Sequence, residues 1–567
     1  MSADLSNLPP FLLGVAVGCA LTSVIYRFLL HPAPAPSAKE PGPLPPSLPA
    51  PTAPPANSPY AVLSSTLAFL STPAFTSPPS TSTPVIEYRT PQSLKAILTG
   101  SSFSLSCPPL SSSPSGPAQL SSLLRLFHSL SVDTSHPLFV NQLISSLDPV
   151  SLAAELLSAS LNASGYTYEI APVASLVEEE VLKKLGGRIG WKIGDDADGL
   201  MLPGGSISNI MSLHCARHHL HPSSLLSGNA ALPPNPAAFC SADAHYSFTK
   251  AMSLIGLGRE NLVLVPTDHS GRMVGAALRD SVQAAIKAGR TPFYVAATSG
   301  TTVRGAFDDL ASIRAVADEY KMWMHVDGAW GGNAVFSDRA DVASLLDGVH
   351  LADSFTVNPH KMLGCPLQTT CFLSRHRNVL HKTNSSAAGY LFDERKADSH
   401  LDMGDQTFQC GRKTDCFKLW ALWRYHGTSG LGDRVERLAD SLSLFSRFID
   451  AHPAFELACA PCKFNVNFFF LPRRLRDLWP AEQRRRKDLN AEGGIVVPEG
   501  VESELDDVHV ELHKRMQSAG AALVPFQPIG CQKCLVFRVV LCGESKVWGA
   551  ADIQRLAEIM LKHGNEL

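Results

Sequence analysis

Asn358-Pro359-His360-Lys361 follows the run Ala352-Asp353-Ser354-Phe355-Thr356-Val357, and upstream Met322-Trp323-Met324-His325-Val326-Asp327 ends in Gly328-Ala329-Trp330-Gly331-Gly332. Both runs are short, apolar and closed by polar or glycine-rich residues, the pattern of buried strands. Working outward, Leu262–Val265, Pro292–Ala297 and Ala238–Cys240 read the same way. Ala276–Lys287 and Leu310–Tyr320 carry helical spacing between them. Strands alternating with helices predict an α/β fold with a mostly parallel central sheet. An acid closing one strand and a lysine just past the next then stand at strand carboxyl ends, where such sheets meet ligands. Taken singly, Lys361 reads more readily as a surface lysine after a core strand and Asp327 as a helix-capping acid.

The chain has 567 residues, 45% hydrophobic and 17% charged, enough for a large core. A net charge of −3 gives no footprint for a polyanion, so nucleic acid is not an expected partner. Thirteen cysteines are scattered along it. Cys459/Cys462 and Cys531/Cys534 form two C-x-x-C pairs about seventy residues apart, too far for ordinary zinc-ribbon spacing. The expectation is no metal, and thiols kept in a reducing compartment.

Residues 1–30 contain Phe11–Leu30, an apolar stretch of bilayer-spanning length. Asp4 precedes it, and Arg27, His31 and Lys39 lie at or after its end, so an anchor would leave the rest of the chain on the cytoplasmic side. The alternative is a cleaved or organelle-targeting presequence. Residues 31–118 are rich in Pro and Ser and read as a low-complexity linker. Residues 119–433 read as an N-terminal helical segment followed by the large domain, with helices at Leu123–Leu130, Ser151–Ala163 and Ala174–Leu185. Residues 434–567 read as a C-terminal α+β domain with strands at Phe464–Leu471 and Leu535–Leu541, and a charged surface excursion at 473–503.

Chemically, Lys361 offers an amine for a Schiff base with an aldehyde cofactor, and Asp327 a carboxylate for a protonated pyridine nitrogen: a pyridoxal phosphate (PLP) layout. Gly204-Gly205-Ser206-Ile207-Ser208-Asn209 precedes the helical stretch Ile210–His219, a turn suited to an anion. These motifs, with Asn141-Gln142-Leu143, Thr298-Ser299-Gly300-Thr301-Thr302, Gly389-Tyr390-Leu391-Phe392, Gln409-Cys410-Gly411-Arg412 and Phe537-Arg538-Val539-Val540, resemble the group II PLP-dependent amino acid decarboxylases. That group includes glutamate and cysteine sulfinate decarboxylases. The resemblance runs from about Pro137 to the C-terminus. It implies PLP fold type I and a homodimer with sites at the subunit interface. It implies Gly205, Ser206 and His360 at the cofactor phosphate, His245 stacked on the ring, and Thr298 beside it. It also implies Gln142 and Arg538 at the substrate carboxylates, and Tyr390 as the phenol that protonates Cα. Tyrosine at 390 favours decarboxylation over aldehyde formation. The chain departs from the pattern at Gly328, where alanine is usual, and at Cys365-Pro366.

The implied reaction is decarboxylation of a small acidic amino acid. Ser299, the 204–209 turn and the bulky Ile144 look closer to the cysteine sulfinate branch, with aspartate or cysteate as side substrates. Glutamate decarboxylation to GABA is the alternative. From another class, an inactive membrane-anchored scaffold would retain the fold without the chemistry.

Overall fold

In the computed structural model the described residues are 58–72, 83–100, 103–144, 146–386, 398–477, 494–530 and 534–567, with single positions 388, 390, 392, 395, 479 and 532. The stretch Phe11–Leu30 lies outside them. Among the described residues no helix is long and apolar enough to cross a membrane. By compactness they divide into two units: the described parts of Met1–Ser80 and Ile86–Val132, and those of Thr81–Val85 and Asp133–Leu567.

The first unit holds helices α1 (Pro59–Leu70), α2 (Pro91–Gly100) and α3 (Gly116–Ser129). The first two fall inside the stretch read as a linker, a correction with a local cause. Each begins with proline, which is tolerated where an N–H would be unbonded anyway, and the Ser58 hydroxyl caps α1 by accepting the Tyr60 N–H. Within this unit Phe69 of α1 meets His128 of α3 edge-on at 5.4 Å.

The second unit opens with α4 (Pro149–Leu161) and α5 (Pro172–Arg188). Then come β1 (Asp198–Leu202), α6 (Gly205–Leu220), β2 (Pro236–Ser241), α7 (Ser247–Leu254) and β3 (Leu262–Val265). They are followed by α8 (Gly275–Lys287), β4 (Thr291–Thr298), α9 (Leu310–Glu319), β5 (Trp323–Gly328), β6 (Ser354–Val357) and β7 (Thr370–Ser374). The seven strands form one sheet in the order β1-β7-β6-β5-β4-β2-β3. Neighbours from β3 to β6 are parallel, and β7 runs antiparallel to both β6 and β1. The sheet is thus mixed but mostly parallel, as PLP fold type I requires. Apolar strands buried on both faces follow from helical crossovers. Leu200, Met211, Phe248, Phe293, Trp323 and Phe372 anchor the core on the α6–α7 side.

Helix α10 (Cys416–Ala451) is interrupted at Gly427, whose φ of +71° lies in the left-handed region. Position 434 falls in its second arm. There the buried Arg434 donates to Leu363 O (2.6 Å) and to Asp148 Oδ2 (2.8 Å), tying the helix to the segment after Lys361. A second sheet combines β8 (Phe455–Leu457), β9 (Val466–Phe470), β10 (Phe526–Pro528) and β11 (Leu535–Val539) in the order β10-β11-β9-β8, all antiparallel. Helices α11 (Glu502–Ser518) and α12 (Ala550–Gly564) complete this α+β region.

Candidate active site

The carboxyl ends of β2, β4, β5 and β6 open on one cavity of about 200 Å³. Strand register sets Thr298 beside Asp327, and Asp327 beside Thr356. Asn358, His360 and Lys361 enter from the segment just past β6, and His245 from the turn between β2 and α7. Across the cavity α6 begins. Gly204, at φ +105°, turns the chain from β1 into this helix. A Cβ on Gly205 would sit 3.0 Å from Asn358 Nδ2 and 3.1 Å from Ala329 Cβ, so the backbone passes close by.

Lys361, Asp327, His245, Gly205, Ser206, Thr298 and His360 all line this cavity. Arg538 lies against its wall. It is buried and donates from Nη1 to the O of Thr302, a lining residue (2.9 Å), and from Nη2 to Asn141 O (2.8 Å). Two expected residues are not brought in. Tyr390 is 87% exposed, beyond the short helix Val379–Asn384, and Gln142 is exposed in the turn that precedes α4. Neither lines the cavity. Reading the residues singly missed Asn209, Tyr246 and Trp330, which do. Asn209 had a signal: it lies four residues after Gly205, on the same helix face.

Asp327 is buried and doubly held. Its Oδ2 accepts from Asn209 Nδ2 (2.8 Å) and its Oδ1 from the Ala329 N–H (3.0 Å). Lys361 is half-buried, its accessible part opening on the cavity. Burial lowers its pKa, and the charge of Asp327 opposes that shift. Burial likewise lowers His245. His360 falls to about 3 through burial and the neighbouring Lys361 charge, so it is neutral near pH 7. Its Nδ1 faces the Thr369 backbone, 2.6 Å from O and 3.0 Å from N, leaving Nε2 toward Asn358 Nδ2. Burial brings Arg538 down to about 10, still a cation at neutral pH.

The helix α6 offers N–H groups with no partner inside the helix. Those of Ile207 and Ser208 return to Gly204 O, while Gly205 and Ser206 line the cavity, suited to a phosphate dianion. Around them Thr298 Oγ1 and Asn358 Oδ1, both of residues lining the cavity, are buried without a hydrogen-bond partner. Unpaired buried polar atoms are rare in folded chains and call for a ligand. An anion cradle, a lysine amine and an acceptor-only carboxylate therefore fit pyridoxal phosphate. Among the described residues no three His, Cys, Asp or Glu side chains are arranged to hold a metal ion.

The Pyridoxal-dependent decarboxylase conserved domain matches residues 119–470. The chain belongs to this family. It is a carboxy-lyase, and pyridoxal phosphate is its cofactor. Mouse cysteine sulfinic acid decarboxylase is 39% identical over 479 residues, 84% of this chain and 90% of the relative. Human acidic amino acid decarboxylase GADL1 is 38% identical over 451 residues, 78% and 80% of the two chains. The crystal structure of mouse CSAD superposes with a TM-score of 0.79 at 36% identity, over 90% of this chain and 99% of that one.

Proposed function

We propose that this decarboxylase acts on cysteine sulfinate and releases hypotaurine and CO2. The observation that carries the reading is the similarity to the cysteine sulfinic acid decarboxylases over most of their length, with Lys361 and Asp327 on one cavity. The likeness to acidic amino acid decarboxylases supports aspartate or cysteate as side substrates. When bound, the cofactor supplies a sink for the electron pair left on Cα as CO2 departs. Lys361 supplies the amine that holds it, kept readier for the neutral form by burial. Asp327 would hold a proton at the ring nitrogen, His245 would cover the ring, and Gly205, Ser206 and Thr298 would serve the phosphate and ring edge. Arg538, oriented by two carbonyls, pairs a substrate carboxylate with its remaining N–H groups. Gln142 assists it, and Tyr390 returns a proton to Cα. Both are exposed in the single chain, and a homodimer with the site at the subunit interface would cover them.

The test is CO2 release from cysteine sulfinate, glutamate and aspartate in parallel. Cysteine sulfinate turns over fastest; a glutamate preference overturns the substrate and moves the enzyme to GABA synthesis. We further propose that Phe11–Leu30 anchors the enzyme with its catalytic part on the cytoplasmic side. Release of full-length protein from membranes by alkaline carbonate would sink that proposal.

A further inference from the structure

From Asp327 a line of buried polar side chains runs back through the sheet. Asn209 Nδ2 donates to Asp327 Oδ2 (2.8 Å) and to Ser247 Oγ (2.9 Å). Asn209 Oδ1 lies 3.0 Å from His325 Nε2. His325 Nδ1 lies 2.9 Å from Ser354 Oγ, which accepts from Trp323 Nε1 (2.9 Å). All six members are buried, and aromatic rings of Tyr294, Phe248 and Phe372 surround the imidazole.

Chemistry fixes the direction of the bonds from the Asp327 end. A carboxylate accepts, so Asn209 turns Nδ2 to Asp327 and Oδ1 to His325. This demands a proton on Nε2, so Nδ1 accepts from the Ser354 hydroxyl. Ser354 can serve there, because it accepts from the Trp323 indole N–H and keeps its own proton to donate. One tautomer and one amide orientation follow. A flipped Asn209 would set oxygen against carboxylate and N–H against N–H at once. Burial keeps the imidazole neutral, holding its pKa at about 4.

We infer that Asn209, His325 and Ser354 are positioning residues that lock the orientation of the Asp327 carboxylate for the cofactor nitrogen. The inference rests on Asp327 meeting that nitrogen, and is independent of which amino acid is decarboxylated. Full-length enzyme is stripped of cofactor and titrated with PLP, and melting temperatures are taken with and without it. His325→Phe keeps a ring but loses the donor. It is expected to weaken PLP binding by about tenfold, the worth of one buried hydrogen bond, and to narrow the gap between holo and apo Tm. His325→Gln restores an amide donor near the Nε2 position and is expected to return most of the affinity. If His325→Phe lowers both Tm values equally and leaves PLP affinity unchanged, the histidine only packs and the inference is overturned. Should His325→Phe not fold, Ser354→Ala reads the same bond one step back. It is expected to weaken PLP binding in the same direction, and unchanged affinity there overturns the inference too. A wild type that binds PLP yet spares cysteine sulfinate sinks the substrate reading alone.

Discussion

At the carboxyl edge of the large sheet, Thr298 Oγ1, Ser299 Oγ, Thr356 Oγ1 and Asn358 Oδ1 are buried without hydrogen-bond partners. The small sheet leaves Asn467 Oδ1, Gln527 Nε2 and Arg538 Nε unpartnered too, but its core is an aromatic cluster. Phe468 meets Phe445, Phe455 and Phe537 with ring centroids 5.5, 5.9 and 5.8 Å apart, and Phe455 meets Phe470 at 5.6 Å. Such pairs stabilise beyond the area they bury. The first region holds polar atoms at a cost that a ligand repays, and the second supplies packing to offset it. Where the two meet, Asn465 and Asn467 of the β9 segment and Arg538 of β11 bond to the carbonyls of Thr302 and Val303 at the cavity wall. Changes at the cavity edge should therefore alter chemistry more than stability, and changes in the aromatic cluster the reverse.

Removing the amine is the sharpest break. Lys361→Ala is expected to abolish CO2 release and the near-visible band of lysine-bound PLP, with the apoenzyme melting as wild type does. Measurable turnover in that variant would dismantle the assignment of the cavity. Next comes Tyr390→Phe, which removes the proposed proton donor. General acid catalysis contributes about 10²–10⁴-fold, and the proton returns only after CO2 has left, so amine formation should fall by that range while PLP affinity holds. The aldehyde and amine products are quantified together, since oxidative deamination would grow if the phenol sets the outcome. Wild-type rates in the variant would remove Tyr390 from the mechanism.

The opposite arm of the comparison is Phe468→Ala. Truncating a fully buried phenylalanine costs about 3–5 kcal/mol, read as a lower denaturation midpoint. PLP affinity of the folded fraction should not move. A selective loss of affinity instead would mean that the aromatic cluster, too, serves the site.

Acid probes both regions at once. Burial holds His325 at about 4 in the large sheet and His509 at about 4 against the small one, both below the ordinary 6.5. His509 is also fixed as a neutral ring, with Nδ1 toward Leu535 O (2.9 Å) and Nε2 accepting from the Phe470 N–H (3.1 Å). Between about 4 and 6.5 the unfolded chain binds protons that the folded chain refuses. The stability these groups contribute is thus complete above 6.5 and is lost as pH falls toward 4. The contribution of these two histidines to melting temperature should be level above pH 6.5 and decline below it, in apo and holo forms alike. A profile for His509→Gln as steep as wild type would remove that residue from the account.

The strands nearest the site were legible because their residues carry the signal locally. Leu262–Val265 stands in the structure with the bounds its apolar run predicts, and Ser354–Val357 falls inside the run read from Ala352 to Val357. The far edge was not, since β1 and β7 are joined by antiparallel pairing between residues about 170 positions apart, which no local pattern announces. The helix read from Ile210 starts at Gly205 instead. Glycine and serine look like a turn in sequence, but here the close approach to Asn358 places glycine in a helix's first turn. In the site, residues on strand ends and in the motif after β6 were found. Tyr390 and Gln142 could not be placed, because their position depends on contacts beyond their own segments.

The smallest expected effect tests a departure from the family pattern. An alanine Cβ at position 328 would lie 2.5 Å from Phe355 Cε2, 2.8 Å from Thr356 O and 3.0 Å from Gly332 Cα. Phe355 is fully buried, so its ring has little room to yield. The glycine and the phenylalanine therefore read as one exchange: the ring fills the space that the family's alanine would occupy. Gly328→Ala should cost about 1–3 kcal/mol by overpacking. Because Gly328 joins Asp327 to Ala329, whose N–H holds the carboxylate, PLP affinity should fall as well. Adding Phe355→Val frees the ring's volume and should recover part of both losses, with the carbonyl of Thr356 still close by. If the double variant is no better than Gly328→Ala alone, the backbone and not the ring demands glycine here.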